Sequence, residues 1–173
     1  MLVPTASCGV FLFWAESEIQ MGGICAFFGH RDTLITAQLE EQISQTIRRL
    51  IDEGIDEFWC CEQGNFDWIC HKILLELKNE YTFIEICCVC AYNPSKYPKI
   101  RQDSLEKMYD YLIYNDEIAN GPNRFAIVRR NRYIAENVDV ILCYIENKTG
   151  GAFSAVKYAM NRDIKIINLG LVL

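Results

Sequence analysis

The sequence predicts a Rossmann-like α/β fold: a doubly wound, mainly parallel sheet of about five strands with helices on both faces. Short apolar runs alternate along the chain with amphipathic helical patterns, and the turns between them are short. Several apolar runs lack polar alternation, which indicates strands that are buried on both faces, as in a parallel sheet. Because the chain has 173 residues and 51% of them are hydrophobic, we expect one packed domain.

The first half of the chain contains three predicted strands and two predicted helices. The strands cover residues 24–28, 55–61 and 84–91. The helices cover residues 36–53 and 66–79, where apolar residues recur at helical spacing. Thr36 is a suitable N-cap for the first helix, and Gly54 suits its end.

The second half continues the same alternation. A short helix is predicted over residues 102–113, and a further helix over residues 124–137. A strand over 138–145, a helix over 152–161 and a strand over 164–169 complete the pattern. Ligands of such folds bind beyond the carboxyl ends of the strands, so the turns that follow strands are the candidate functional sites.

Residues 1–20 are expected to form an N-terminal extension whose structure the sequence pattern does not define, and residues 21–173 are expected to form a single domain. The apolar stretch 8–15 is too short to span a bilayer, and no Lys or Arg precedes it, as a signal peptide requires. These observations favour a cytoplasmic protein that does not associate with membranes. The alternative is a hydrophobic arm that packs on the domain or on a partner.

Charge and cysteine content narrow the classes of partner. The net charge is −6 and the chain has no long basic run, which disfavours nucleic acid and anionic membranes as partners. The close cysteine groups Cys60-Cys61 and Cys87-Cys88-x-Cys90 lack the C-x2-C spacing of a zinc site. We therefore predict buried free thiols, with no metal and no cofactor.

Three turns follow predicted strands and are expected to meet at one edge of the sheet. They comprise residues 29–31, 63–67 and 149–152. The third turn opens a helix at Gly150 and Gly151, where free N–H groups and the helix dipole suit a phosphate. It matches neither the P-loop pattern nor G-x-G-x-x-G, so an ordinary turn remains the alternative.

Other polar residues near these turns have two interpretations each. The arginine cluster 124–132 suits phosphate through its bidentate forks, or it forms a solvated helix face. His30 is suited to contact a ligand or act as an acid or base, or else to be a turn histidine that hydrogen-bonds to backbone. Asp67 is suited to bind a ribose hydroxyl or to cap the second helix.

Five segments together resemble the YpsA-like branch of the SLOG superfamily, which also includes the DNA-processing protein DprA and the lonely-guy phosphoribohydrolases. The segments are Cys25-Ala-Phe-Phe-Gly-His-Arg-Asp32, Gly64-Asn-Phe-Asp67, Arg124-Phe-Ala-Ile127, Arg130-Asn-Arg132 and Gly150-Gly-Ala152. They occur in the family's order, and the resemblance extends from about Gly22 to Leu169.

The resemblance implies a domain that binds or senses a nucleotide or nucleotide-derived ligand, and it makes a homodimer a reasonable expectation. By position it implies that the phosphate lies at Gly150, Gly151 and Ala152. The remaining ligand-binding residues it implies are Gly29, His30, Arg31, Gly64, Asn65, Asp67, Arg130 and Asn131.

One departure from the family bears on catalysis. Lonely-guy enzymes carry a glutamate just inside the helix after the glycine turn, whereas residues 152–157 of this chain contain no acid. Asp67, Glu62 and His30 are the remaining catalytic candidates. Ligand binding without catalysis is therefore the first hypothesis, and cleavage of a nucleoside 5′-phosphate at its N-glycosidic bond is the second. DprA-like DNA binding is the third, because the net charge of the chain is acidic.

Overall fold

The computed structural model describes residues 22–162 and 164–170, and the expectations for residues 1–20 lie outside this part of the chain. A six-stranded sheet in the order β4-β3-β2-β1-β5-β6 forms its centre, and every neighbouring pair of strands is parallel. The strands are β1 (Gly23–Gly29), β2 (Ile55–Cys60), β3 (Glu85–Val89), β4 (Tyr111–Ile113), β5 (Val140–Tyr144) and β6 (Lys165–Asn168). The predicted Rossmann-like class is confirmed, with six strands rather than about five.

Helices cover both faces of the sheet. They are α1 (Ala37–Asp52), α2 (Gly64–Leu77), α3 (Lys99–Met108), α4 (Asp116–Ala119), α5 (Ala126–Asn137) and α6 (Gly150–Ala159). One apolar core lies between the sheet and α1, α2 and α3, where Ile43, Phe66 and Leu105 are buried. A second core lies between the other face and α4, α5 and α6, where Ile118, Ile134 and Val156 are buried.

The strand order reverses direction between β1 and β5. The chain leaves β1 towards α1 on one face of the sheet, and it leaves the neighbouring β5 towards α6 on the other face. The two connections therefore diverge and leave a crevice between them at the carboxyl ends of the strands.

The prediction of a single helix over residues 102–113 is wrong at its carboxyl end. Helix α3 covers Lys99–Met108, and the chain then enters β4, which pairs with the edge of β3. Asp110 fixes this pairing, because its carboxylate accepts from the N–H of Ile86 at 2.8 Å and its own N–H donates to the carbonyl of Ile86 at 2.8 Å. Three residues are too few for periodicity to distinguish a strand from a helix end, so tertiary pairing decides the conformation.

Two helices begin earlier than predicted, and both begin at the glycines of the candidate turns. Helix α2 starts at Gly64 rather than at residue 66, and α6 starts at Gly150 rather than at residue 152. The glycine N–H groups therefore belong to the first turns of these helices, where no carbonyl within the helix accepts from them.

The eight cysteines within the described residues are free and buried, as the sequence predicts. Within the same residues, no cluster of three or more His, Cys, Asp or Glu side chains could hold a metal ion. No described helix is both long enough and apolar enough to cross a bilayer.

Candidate functional site

A cavity of about 370 Å³ opens at the carboxyl ends of β1 and β5, where the strand order reverses. We call it the first cavity. Eight of the predicted ligand-binding residues line it: Gly29, His30, Arg31, Arg130, Asn131, Gly150, Gly151 and Ala152. The other lining residues were not among the predicted ligand-binding residues, although Gln63 lies in one of the candidate turns: Phe27, Phe28, Cys61, Gln63 and Ile127.

Arg130 is the buried charged residue in the wall of this cavity, which the exposed Arg31 also lines. Its side chain lies on the buried stripe of α5, one turn from Ala126 and one turn from Ile134, and only 2% of the residue is exposed. Nη1 donates to the carbonyl oxygen of Cys61 at 3.0 Å, and Nε and Nη2 donate to Oδ1 of Asn131 at 3.1 and 2.9 Å.

All of these acceptors are neutral oxygens. Within the described part of the chain, no carboxylate lies within ion-pair distance of the Arg130 guanidinium. Because arginine remains charged in proteins, the wall carries a positive charge that lacks a contacting anion. Buried charges are normally paired, so this arrangement favours an anionic ligand.

The other arginines of the predicted cluster do not reach the first cavity. Arg129 donates to the backbone carbonyls of Ile118, Gly121 and Pro122 and so holds the loop before α5. Arg124 lies over the ring of Phe125, with 4.8 Å between the guanidinium carbon and the ring centroid. Within the cluster 124–132, the phosphate interpretation therefore applies to Arg130 alone, because Arg130 is the arginine of this cluster that lines the first cavity.

The start of α6 forms the opposite side of the first cavity. Thr149 occupies the N-cap position but makes no side-chain capping bond, because its hydroxyl contacts Oδ1 of Asn147 at 2.7 Å. Gly150 has a φ of +85°, which disfavours any residue with a side chain. A Cβ atom added to Gly150 or Gly151 would meet no atom within 4 Å, so the space above the first turn of α6 is open.

The loop after β1 connects the first cavity to its neighbours. Gly29 is required for packing, because an added Cβ would lie 2.4 Å from Cβ of Phe66. Nε2 of His30 accepts from the N–H of Asn147 at 3.4 Å, and the carbonyl of His30 accepts from Oγ1 of Thr33 at 2.7 Å. His30 thus bonds backbone, as one of its two interpretations predicts, while it also lines the cavity.

The structure does not bring Gly64, Asn65 and Asp67 into the first cavity. They line a second cavity of about 360 Å³ instead, together with Glu62, Trp68, His71, Arg101, Met108 and Tyr109. The loops after β1 and β2 meet at Gly64, whose added Cβ would lie 2.8 Å from Cα of Arg31. The N–H of Asn65 also donates to the carbonyl of Arg31 at 3.0 Å.

Asp67 is buried and holds the turn between β2 and α2. Its carboxylate accepts from the N–H of Cys61 at 2.9 and 3.2 Å and from the N–H of Gln63 at 3.4 Å. Burial raises the pKa of Asp67 to about 6, although these bonds and the nearby charge of Arg130 act in the opposite direction. Through these contacts, the carboxylate of Asp67 caps the turn between β2 and α2.

Glu62 also lies on the side of the second cavity. Its backbone has a φ of 55°, and its carboxylate forms an ion pair with Arg101 at 2.5 Å. Burial raises the pKa of Glu62, and the charge of Arg101 opposes this shift. Of the three catalytic candidates, only His30 lines the first cavity, and no described acidic residue lines it.

Comparisons with known proteins agree with this fold. No protein-family model matches the chain, and a search of curated proteins finds no match. Among solved structures, DNA processing protein A from Helicobacter pylori superposes with a TM-score of 0.58 at 16% identity. The chain shares the fold of DNA processing protein A. The match covers 87% of this chain and 66% of the other, which is just under two thirds of that protein. At this identity the comparison shows the fold alone, and the resemblance to the YpsA-like branch stays a prediction.

Proposed function

We propose that the chain binds a nucleotide or nucleotide-derived ligand, with a phosphate between Arg130 and the first turn of α6. The observation that carries this proposal is the burial of Arg130 without a contacting carboxylate in the described structure. On the basis of its motifs, we also assign the chain to the YpsA-like branch of the SLOG superfamily.

The two sides of the first cavity complement each other as a phosphate site. A guanidinium supplies directed N–H donors and a full charge, and the start of a helix supplies backbone N–H donors and a partial charge. Gly150 and Gly151 allow an oxygen to approach those N–H groups, because no side chain fills the space above them. A volume of about 370 Å³ suits a small molecule of mononucleotide size.

Binding without N-glycosidic cleavage is the better-supported form of this function. Cleavage through an oxocarbenium-like state needs a carboxylate close to the sugar. Asp67 accepts bonds from the β2–α2 turn, and Glu62 pairs with Arg101 in the second cavity. Neither carboxylate lines the first cavity.

Single-stranded DNA is the second candidate ligand. The observation that favours it is the shared fold with DNA processing protein A from Helicobacter pylori, which binds single-stranded DNA. This comparison weakens the sequence-based expectation that disfavoured nucleic acid on the net charge of −6. A backbone phosphate of DNA would present the same chemistry to Arg130 as the phosphate of a free nucleotide.

Thermal melting of the purified chain with AMP, NAD, ADP-ribose or a single-stranded oligonucleotide tests the proposal. We expect stabilisation by at least one small ligand and no release of free base on chromatography. Base release that disappears in Glu62→Gln would establish the glycosidase instead. Stabilisation by the oligonucleotide alone, at physiological salt, would establish DNA as the ligand.

A further inference from the structure

The second cavity adjoins the first across the turn between β2 and α2. Cys61 and Gln63 line the first cavity, whereas Glu62 and Gly64, which alternate with them, line the second. Successive Cα atoms are about 3.8 Å apart, so a single turn of backbone separates the two spaces. A ligand that crosses this turn would reach both of them.

The walls of the second cavity offer an aromatic surface that the fold leaves uncovered. Trp68, in the second turn of α2, is 61% exposed although it is the largest side chain of the wall. Met108 and Tyr109 add apolar surface, and Arg101 adds a planar guanidinium. Exposed tryptophan beside arginine is a combination on which nucleic acid bases stack.

The charges of the two cavities differ in sign. The first contains Arg31 and Arg130 and no described acid, whereas the second contains the carboxylates of Glu62 and Asp67 against the single guanidinium of Arg101. The second cavity therefore disfavours another phosphate and favours an uncharged part of a ligand.

His71 supports this distinction. Burial lowers the pKa of His71, which keeps its ring neutral near pH 7. Nε2 contacts the carbonyl of Met108 at 3.1 Å, and because a carbonyl only accepts, Nε2 carries the proton. The imidazole therefore adds no positive charge to the second cavity, and its other nitrogen is an acceptor.

We propose that the second cavity binds the base of a second nucleoside, which stacks on Trp68. The ligand of this chain is then two nucleosides joined through phosphate, with the phosphate at Arg130 and one base at Trp68. This inference rests on the phosphate site proposed for the first cavity. The two nucleosides can be joined by a pyrophosphate, as in a free dinucleotide, or by one phosphate, as in two successive nucleotides of single-stranded DNA.

The test compares three probes on the whole chain by calorimetry: AMP, a diadenosine pyrophosphate, and a 5′-phosphorylated deoxyadenosine dinucleotide. Because base–aromatic stacking contributes about 1–3 kcal/mol, we expect at least one dinucleotide to bind about 5- to 150-fold tighter than AMP. The preferred probe identifies the linkage. Stacking should also quench tryptophan fluorescence, and this quenching should disappear in Trp68→Ala, because the other described tryptophan, Trp59, is 4% exposed and stacked on Tyr133.

Trp68→Ala should remove the advantage of the dinucleotide and leave the affinity for AMP unchanged. Leu75→Ala is the matched control, because Leu75 is an exposed apolar residue of the same helix outside both cavities. If AMP binds and neither dinucleotide binds tighter, or if Trp68→Ala weakens all probes equally, the second site is disproved while the first survives. If no probe binds, both proposals are wrong.

Discussion

Replacement of Arg130 by methionine tests the phosphate site most directly. Methionine has an unbranched side chain of similar length, so Arg130→Met removes the charge and the donors while it fills most of the same space. If the guanidinium makes two charge-assisted hydrogen bonds to phosphate, each contributing about 1.5 kcal/mol or more, the loss is at least about 3 kcal/mol. The affinity for the ligand should therefore fall about 100-fold or more.

Thermal melting makes this loss measurable. At a ligand concentration of 100 times the Kd, binding stabilises the unmodified chain by about 2.7 kcal/mol, which raises the Tm of a domain of this size by about 5–10 °C. At the same concentration, a variant with a 100-fold weaker Kd gains about 0.4 kcal/mol, or a rise of about 1 °C.

The control for this experiment is Arg132→Met. Arg132 lies on the same helix but is exposed and lines neither of the two cavities. Its variant should keep the full ligand-induced rise in Tm. An equal rise in Arg130→Met and in the unmodified chain would refute the assignment of phosphate to Arg130 and would leave Arg31 as the other arginine of the first cavity.

Three further predictions concern the turns and the chain terminus. Gly151→Ala should stabilise the ligand-free chain by up to about 1 kcal/mol, because alanine favours helix and its Cβ meets open space. The same Cβ would occupy the space above the first turn of α6, so the variant should bind phosphate more weakly. Tighter binding of the ligand, measured by calorimetry, would contradict this prediction. Asp67 has a pKa of about 6 against an ordinary value of 3.8, so the folded state binds this proton more tightly. The free energy of unfolding should consequently fall by about 3 kcal/mol as the pH rises from about 3 to 7, and urea titrations of Asp67→Asn should lack this component. Removal of residues 1–20 should leave a folded chain of unchanged Tm, and aggregation of the shortened chain would show that these residues cover apolar surface.

The strands of the core were predictable from the sequence because each is a short apolar run flanked by turn residues. Strand β4 was not, because Tyr111–Ile113 acquires its conformation from pairing with β3 and from the bonds between Asp110 and Ile86. A local pattern contains no information on such a partner, which lies more than 20 residues away along the chain.

The candidate site was predictable in part for a similar reason. Parallel strands place the turns that follow them at one edge of the sheet. This rule predicts that the loops after β1 and β5 lie close together, and residues of both loops line the first cavity. The separation of Gly64, Asn65 and Asp67 into a second cavity depends on the contact of Gly64 with Arg31 and on the φ of 55° at Glu62. Neither backbone feature follows from periodicity.

At Arg130 pattern and packing disagree, and this disagreement supports the proposed function. Ala126, Arg130 and Ile134 follow one another at four-residue spacing, and all three are buried against the sheet. Removing a charge from water costs several kcal/mol of desolvation. An apolar residue at position 130 would continue the stripe without this cost. Departures from local consistency of this kind concentrate at functional sites, where a ligand offsets the cost when it binds. The anion proposed at Arg130 would supply that compensation, and the carbonyl of Cys61 and the amide of Asn131 hold the guanidinium in place.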